Sequence, residues 1–133
     1  MESPLTIVLD THIWLWWVNE DIALNKNRKE QIESSDVVIV SAISCFEVAW
    51  LDRHGRIVLP CERAIWFEKA LTGSGVTLAP ITAGIASVAV DLPEHHRDPQ
   101  DRLIIATAIA YNAYLISVDS KFPNYVELEG KLL

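Results

Sequence analysis

The sequence predicts an α/β protein, a three-layer α/β/α sandwich built on a mainly parallel central sheet. Its strands read as short, continuous apolar runs, the pattern of strands buried on both faces; the runs are LTIVL, VVIV, VTLAP and AYLISV. Segments with helical signals separate these runs, and this alternation indicates parallel pairing through right-handed crossovers. A chain of 133 residues supports one core, so we expect a single domain over residues 1–133.

The first half of the chain supplies two predicted strands and three predicted helices. They are a strand over 5–9, a helix over 11–20, a polar-faced helix over 25–35, a strand over 37–40 and a helix over 42–55. Gly55 is suited to cap the last of these helices, because glycine readily adopts a left-handed conformation. In the first helix, the spacing of Trp14 and Trp17 predicts a core face, from which Trp16 would point away.

The second half continues the alternation of helices and strands. Its predicted elements are a helix over 61–75, a strand over 76–80, helices over 82–92 and 99–112, a strand over 113–118 and a short strand over 125–128. Thr82 is a suitable N-cap for the second helix. Asp98 followed by Pro99 is a helix-start signature, since proline fits the first position of a helix.

Composition excludes several classes of protein. The formal charge of −7 argues against a general basic face for nucleic acid, although an enzyme could still bind RNA through a local basic rim. No apolar run is long enough to span a bilayer, and the amino terminus lacks the basic segment of a signal peptide. Cys45 and Cys61 show no metal-binding or disulfide spacing. We therefore expect a reducing, cytoplasmic location without membrane association.

Four acidic residues fall where this fold would gather them at one edge. Asp10 and Asp119 directly follow the first and last main strands, Glu47 lies about two turns into the helix after its strand, and Asp101 opens a later helix. Ligands of such sheets bind beyond the carboxyl ends of the strands. Carboxylates gathered there repel one another unless a cation holds them, so the arrangement predicts a divalent-metal site for phosphodiester chemistry.

Each acid also has a purely local explanation. Asp10 would cap the helix that begins beside it, and Glu47 would close an S-x-x-E capping box with Ser44. Asp98 would cap its helix, and Asp101 would be favoured in the first turn by the helix dipole. Asp119 would cap the turn around Ser120 and Lys121. For any one acid, capping is the simpler reading, so the prediction of a metal site depends on their joint placement.

Four segments, in order, resemble PIN-domain proteins, specifically the toxin nucleases of VapBC-type toxin–antitoxin pairs. They are LDTHIWLWW, SAISCFEVAW with the following GRI, HHRDPQDRLIIATAIA, and LISVDSKF. The resemblance implies that Asp10, Glu47, Asp101 and Asp119 are catalytic and bind Mg²⁺ or Mn²⁺. It further implies cleavage of single-stranded or looped RNA to leave a 5′-phosphate and a 3′-hydroxyl, a cognate antitoxin as partner, and a homodimer.

Weaker expectations concern the neighbours of these acids. Thr11 and Ser117 flank the site and would contact water or metal, Asp98 would act as a cap or support the acids, and Arg102 would touch RNA phosphates. Two positions depart from the family pattern: Leu51 stands where a lysine is common, and Gln100 where a phenylalanine is common. Neither is a metal acid, so the departures bear on substrate binding and rate more than on fold.

Basic residues form two local clusters, either of which would supply a rim for RNA. Arg53, His54 and Arg56 follow the Glu47 segment, and His95, His96 and Arg97 precede the Asp101 segment. Solvated residues at a helix end, favoured there by the dipole, explain the first cluster equally well.

Other functions were weighed against the nuclease. A response-regulator receiver domain needs a phosphoacceptor aspartate ending a central strand and a lysine ending a later one. The runs VVIVS and VTLAP end without aspartate, and no lysine ends a strand. A dehalogenase-type phosphatase needs a second aspartate where this chain has His12. Two further alternatives keep the fold: a nuclease of RNA processing or decay without an antitoxin, and a catalytically inactive binding module.

Overall fold

A computed structural model describes residues 5–95 and 98–133 of the chain. Its centre is a parallel sheet of four strands, β1 (Thr6–Leu9), β2 (Val37–Ser41), β3 (Thr77–Ala79) and β4 (Tyr114–Ile116). The strand order is β3-β2-β1-β4, and every pair is parallel. The predicted parallel sheet is therefore confirmed, and the direction of the crossovers changes between β1 and β4, where ligands of such sheets bind.

Six α-helices surround the sheet in the described part of the chain. They are α1 (Thr11–Val18), α2 (Lys26–Glu33), α3 (Ala42–Arg53), α4 (Arg63–Glu68), α5 (Ala83–Asp91) and α6 (Pro99–Ala110). The helix predicted over 61–75 is divided, because α4 passes into a π-helical turn over Lys69–Gly73. None of the helices among the described residues is long and apolar enough to cross a membrane.

The alternation of side chains along β1 separates two cores. Ile7 and Leu9 belong to a cluster with Trp14 and Trp66, whereas Val8 belongs to a cluster that includes residues of α6. Successive strand residues point to opposite faces of a sheet, so helices cover both faces and the predicted three layers are confirmed. Trp16 was predicted to point away from the core, but it is half-buried and packs against the first cluster.

Three predicted helix boundaries are confirmed by their hydrogen bonds. Gly55, just beyond α3, has a φ of +66°, and this left-handed turn lets the Arg56 amide donate to the carbonyl oxygen of Leu51 at 2.9 Å. Thr82 Oγ1 accepts a hydrogen bond from the Ile85 amide at 3.2 Å. Asp98 Oδ1 accepts one from the Gln100 amide at 2.9 Å. Sequence signals thus placed the start of α6, and with it the acid of its first turn.

The short strand predicted over 125–128 is wrong. Val126–Leu128 forms a 3₁₀ turn instead. Tyr125 and Leu128 are both buried, and a three-residue repeat puts them on the same side, whereas a strand would put them on opposite faces. The extra sheet contact comes later in the chain, as a parallel bridge between Leu132 and Leu115 of β4.

Candidate active site

Asp10 lies at the carboxyl end of β1, in the crevice beside β4. Its backbone amide donates to the carbonyl oxygen of Ile116 at 3.0 Å, which continues the pairing of the two strands. Asp10 Oδ1 accepts from the Thr11 amide at 2.8 Å, and Oδ2 accepts from Ser117 Oγ at 2.7 Å. The side chain is 7% exposed, so Asp10 both caps α1 and is held in one orientation at the edge of the sheet.

Glu47 is held by a chain of buried hydroxyl groups. Thr11 Oγ1 donates to Glu47 Oε1 at 2.8 Å and lies 2.8 Å from Ser44 Oγ. A hydroxyl has a single proton, so while Thr11 donates to Glu47, Ser44 must donate to Thr11. The predicted capping box is wrong, because α3 begins at Ala42 with Ser41 as its N-cap. Glu47 is therefore not occupied in closing a helix and faces α1.

Asp101 and Asp119 complete the set of predicted acids. Asp101 lies in the first turn of α6, and Asp119 follows β4 by a few residues. The Asp119 amide donates to Ser117 Oγ at 3.0 Å, and its Oδ1 accepts from the Lys121 amide at 2.8 Å. Ser117 thus connects Asp10 to the segment that carries Asp119.

Electrostatic interactions join these carboxylates into one cluster. The pKa of Asp101 is raised from its usual 3.8 to about 8, most of all by burial and further by the negative charges of Asp10, Asp98, Glu47 and Asp119. Burial also raises the pKa of Asp10 and of Glu47, against the hydrogen bonds from Ser117 and Thr11 that lower them. Asp101 is therefore within electrostatic reach of the other three predicted acids and of Asp98, as their placement at one edge of the sheet predicts.

The chemistry of this cluster suits a hard divalent cation. Mg²⁺ and Mn²⁺ prefer carboxylate oxygens, and a cation would remove the mutual repulsion that raises the pKa of Asp101. Within residues 5–95 and 98–133, however, no three of the His, Cys, Asp and Glu side chains already form a group that could hold a metal ion. The residue types at this edge nevertheless fit a hard divalent cation.

Arg102 has a structural role that the sequence did not predict. Its guanidinium donates to the carbonyl oxygens of Val90, Leu92 and Pro93 at 3.0, 2.6 and 3.0 Å. The residue is 9% exposed. These bonds fasten the end of α5 to the start of α6, so the position of Arg102 does not favour the predicted contact with RNA phosphates.

One of the two predicted basic clusters lies entirely within the described residues, and the other lies there only in part. Arg53, His54 and Arg56 are exposed at the end of α3. In the other cluster His95 is exposed and packs edge-on against Tyr125, with ring centroids 5.0 Å apart. The remaining members, His96 and Arg97, lie outside the described residues.

Two residues at the site escaped the sequence argument. His12 is exposed in the first turn of α1, and its charge lowers the pKa of both Asp10 and Glu47. Its place two residues after a strand-end acid was the available signal. Ser44 was read as part of a capping box, and only the packing of α1 against α3 reveals its contact with Thr11.

Comparison with known proteins identifies the class to which this fold and acidic edge belong. The PIN domain matches residues 7–128, which is nearly all of the chain and includes every predicted acid. The chain belongs to the PIN domain family.

A more specific relationship is to the VapC proteins. The chain is 36% identical over 121 residues to Ribonuclease VapC22 of Mycobacterium tuberculosis, which covers 90% of this chain and 92% of that protein. Its fold resembles VapBC2 from Rickettsia felis bound to a promoter DNA fragment, with a TM-score of 0.69, 19% identity and coverage of 97% and 98% of the two chains. A toxin–antitoxin complex from Klebsiella pneumoniae gives a TM-score of 0.63 at 20% identity, covering 96% and 95%.

Proposed function

We propose that this chain is a Mg²⁺- or Mn²⁺-dependent endoribonuclease that acts in the cytoplasm as the toxin of a type II toxin–antitoxin pair. The observation that carries the proposal is the gathering of four other acids around the half-buried Asp101, whose pKa is raised to about 8 by burial first and by these like charges second. A buried acid surrounded by like charges destabilises the protein unless a cation is bound, and such arrangements mark functional sites. The relationship to a protein named as a ribonuclease supports RNA as the substrate.

In this proposal Asp10, Asp101 and Asp119 hold the cation, and Glu47 orients a water or supports a second ion. The bound cation would lower the pKa of a water and neutralise charge on the scissile phosphate. The chain itself supplies positioning. Ser117 and the Thr11 amide fix both oxygens of Asp10, and the Thr11 hydroxyl fixes one oxygen of Glu47.

We further propose an antitoxin as the protein partner and a homodimer as the assembly. The structural neighbours are VapBC2 from Rickettsia felis and a toxin–antitoxin complex from Klebsiella pneumoniae, which supports an antitoxin partner. A net charge of −7 suits a partner with basic segments. The alternative, a PIN nuclease of RNA processing without an antitoxin, uses the same acids. A nuclease of that kind would have no neighbouring gene whose product restores growth.

The test is induced expression in a bacterial host of the wild type beside Asp10→Asn and Asp91→Asn. Asp91 is exposed at the end of α5 and serves as a control for loss of one acid. We expect growth arrest with discrete RNA fragments from the wild type and from Asp91→Asn, and neither effect from Asp10→Asn. Intact RNA and normal growth with soluble, folded wild-type protein would contradict the nuclease proposal. Arrest that no adjacent open reading frame relieves would favour the alternative.

A further inference from the structure

Aromatic and cationic side chains cover the outer surface of α3, the helix that carries Glu47. Phe46 is 58% exposed and Trp50 is 42% exposed, and residues four apart lie on one side of a helix. Arg53, His54 and Arg56 are exposed at its end. We call this set of five residues the α3 strip.

The aromatic and cationic groups of the α3 strip are organised by the fold. The His54 ring stacks on Trp50 with centroids 4.1 Å apart and an angle of 24° between planes, and its Nδ1 lies 2.8 Å from the Trp50 carbonyl oxygen. Arg56 brings its guanidinium carbon to 6.0 Å from the centroid of the Trp50 ring. The left-handed turn at Gly55 reverses the chain so that Arg56 reaches back to Trp50. Trp50, His54 and Arg56 therefore lose less side-chain freedom when a ligand binds.

Charge at the α3 strip has the opposite sign to the rest of the site. The chain carries a net −7, yet two arginines and a histidine meet within four residues here. The acid nearest to them in the sequence, Asp52, is paired with Arg63 of α4 at 2.8 Å. This exposed surface, cationic and aromatic, adjoins the helix turn from which Glu47 reaches the other acids.

We propose that the α3 strip binds a single-stranded segment of RNA next to the bond that is cut, an inference that rests on the proposed nuclease function. Surfaces that combine aromatic faces with a cationic groove bind single strands, because every base can stack and every phosphate is negative. Seven residues of helix, about 10 Å of rise, separate Glu47 from His54. Trp50 comes three residues after Glu47 and Arg53 six, whereas Phe46 directly precedes Glu47. A strand that leaves the acids toward the carboxyl end of α3 therefore passes Trp50 before it meets the two arginines. The strip offsets the repulsion between RNA and the acidic edge.

Two other occupants fit this surface less well. A second copy of the chain, docked through the same surface about a two-fold axis, would bring the cations of both copies together. A basic antitoxin segment would meet the same repulsion. RNA is the candidate whose charge complements the strip.

The experiment measures binding separately from cleavage. The full chain carrying Asp101→Asn, which blocks cleavage, is titrated into a labelled random pool of single-stranded RNA about twenty nucleotides long, and anisotropy is followed at several salt concentrations. We expect Trp50→Ala to weaken binding about 10-fold or more. The Arg53→Ala, Arg56→Ala pair should reduce the slope of log K against log salt by about 1.4.

Matched controls isolate the strip from general effects. Tyr111 at the end of α6 is also 42% exposed, so Tyr111→Ala removes an equally exposed aromatic ring elsewhere. The Lys26→Ala, Lys29→Ala pair on α2 removes the same charge from another surface. Both should leave the affinity and the salt slope unchanged. Circular dichroism and melting of each variant confirm that the fold is retained.

The outcomes separate this inference from the function on which it rests. Equal RNA affinity for the strip variants and their controls would overturn the inference, even if the wild type cleaves RNA. A change in sedimentation with unchanged RNA affinity would overturn it in favour of a second copy. If the strip variants weaken RNA binding but the wild type never cleaves RNA, the α3 strip is supported as an RNA-binding surface and the nuclease proposal is contradicted.

Discussion

The core that packs against α1 and the acidic edge differ in how their buried polar groups are stabilised. Trp14 and Trp66 are fully buried, and both indole N–H groups have partners: Trp14 donates to the Ala70 carbonyl oxygen at 3.1 Å, and Trp66 to Asn19 Oδ1 at 2.7 Å. At the acidic edge, burial and like charge act together on Asp101 and raise its pKa to about 8. The core pairs its buried polar groups, whereas the edge gathers like charges at a cost in stability, a departure that is typical of functional sites.

The largest effect is expected from removing an acid of the edge, as in Asp101→Asn, which should lose activity. Replacing a charged oxygen ligand with an amide removes charge that the cation needs, and we expect cleavage to fall at least about 10³-fold, or about 4 kcal/mol of barrier. Cleavage of a labelled RNA substrate at saturating Mn²⁺ measures it. Asp91→Asn is the control, and wild-type rates in Asp101→Asn would remove this acid from the site.

A substitution in the core should lower stability rather than activity. Trp66→Ala removes a ring that stacks edge-on against Trp14, with centroids 5.0 Å apart, and we expect a loss of about 3–5 kcal/mol in the free energy of unfolding. Activity per folded molecule should be retained. Urea unfolding gives the stability, and Ile65→Ala, a neighbour that is 50% exposed, should cost far less. Equal losses in the two variants would contradict the assigned core.

The acidic edge should also make the stability of the protein depend on pH, which the paired polar groups of the core do not. Asp101 has a pKa raised from 3.8 to about 8, so between these values the unfolded chain loses a proton that the folded chain keeps. Its stabilising contribution is complete below about pH 4 and is lost as pH rises through about 8. Metal-free protein should therefore be more stable at pH 5 than at pH 8, by about 1–3 kcal/mol after allowance for solvent screening.

Melting of the metal-free protein across this pH range measures the effect. The Asp101→Asn variant should lose the share of this dependence that Asp101 supplies, should keep the share of Asp10 and Glu47, whose pKa values are also raised by burial, and should exceed the wild type in stability at pH 8. A wild-type profile no steeper than that of the variant would show that Asp101 titrates normally.

The hydroxyl chain should give the smallest effects. Thr11→Val removes the hydrogen bond to Glu47, a charged acceptor, and we expect cleavage to fall about 10-fold, or about 1.4 kcal/mol. Ser44→Ala should cost only a few-fold, because it acts through Thr11, and should add nothing in the Thr11→Val background. Ser74→Ala, which removes a hydroxyl bonded to Ala70, is the control. Additive losses would show that Ser44 acts independently of Thr11.

The positions of three of the predicted acids followed from local signals in the sequence, whereas their catalytic role remains a prediction. Asp10 and Asp119 follow continuous apolar strands, and Asp101 follows an Asp-Pro helix start. Parallel pairing then brings such ends to one edge without knowledge of the tertiary contacts. The strength of the coupling among the acids was not predictable, because the pKa of Asp101 depends on burial that only the packed fold determines.

Features that depend on packing between distant elements were missed or misjudged. Ser44 fits a capping box by spacing alone, and its contact with Thr11 requires α1 to pack on α3. Arg102 was read by its charge, and its role depends on the carbonyl groups at the end of α5. The 125–128 segment contains strand-forming residues, but two buried side chains three apart favoured a 3₁₀ turn.

The most direct test of the account is a titration of metal-free wild type and Asp101→Asn with Mg²⁺ and Mn²⁺ at pH 7.5, followed by calorimetry and by thermal melting. We predict saturable binding that raises the melting temperature of the wild type, because the cation replaces the mutual repulsion of the acids with attraction. Asp101→Asn should bind at least about 10-fold more weakly and should melt with little dependence on the cation. Identical binding by the two proteins, or no binding by the wild type, would contradict a divalent-cation site at this edge of the sheet.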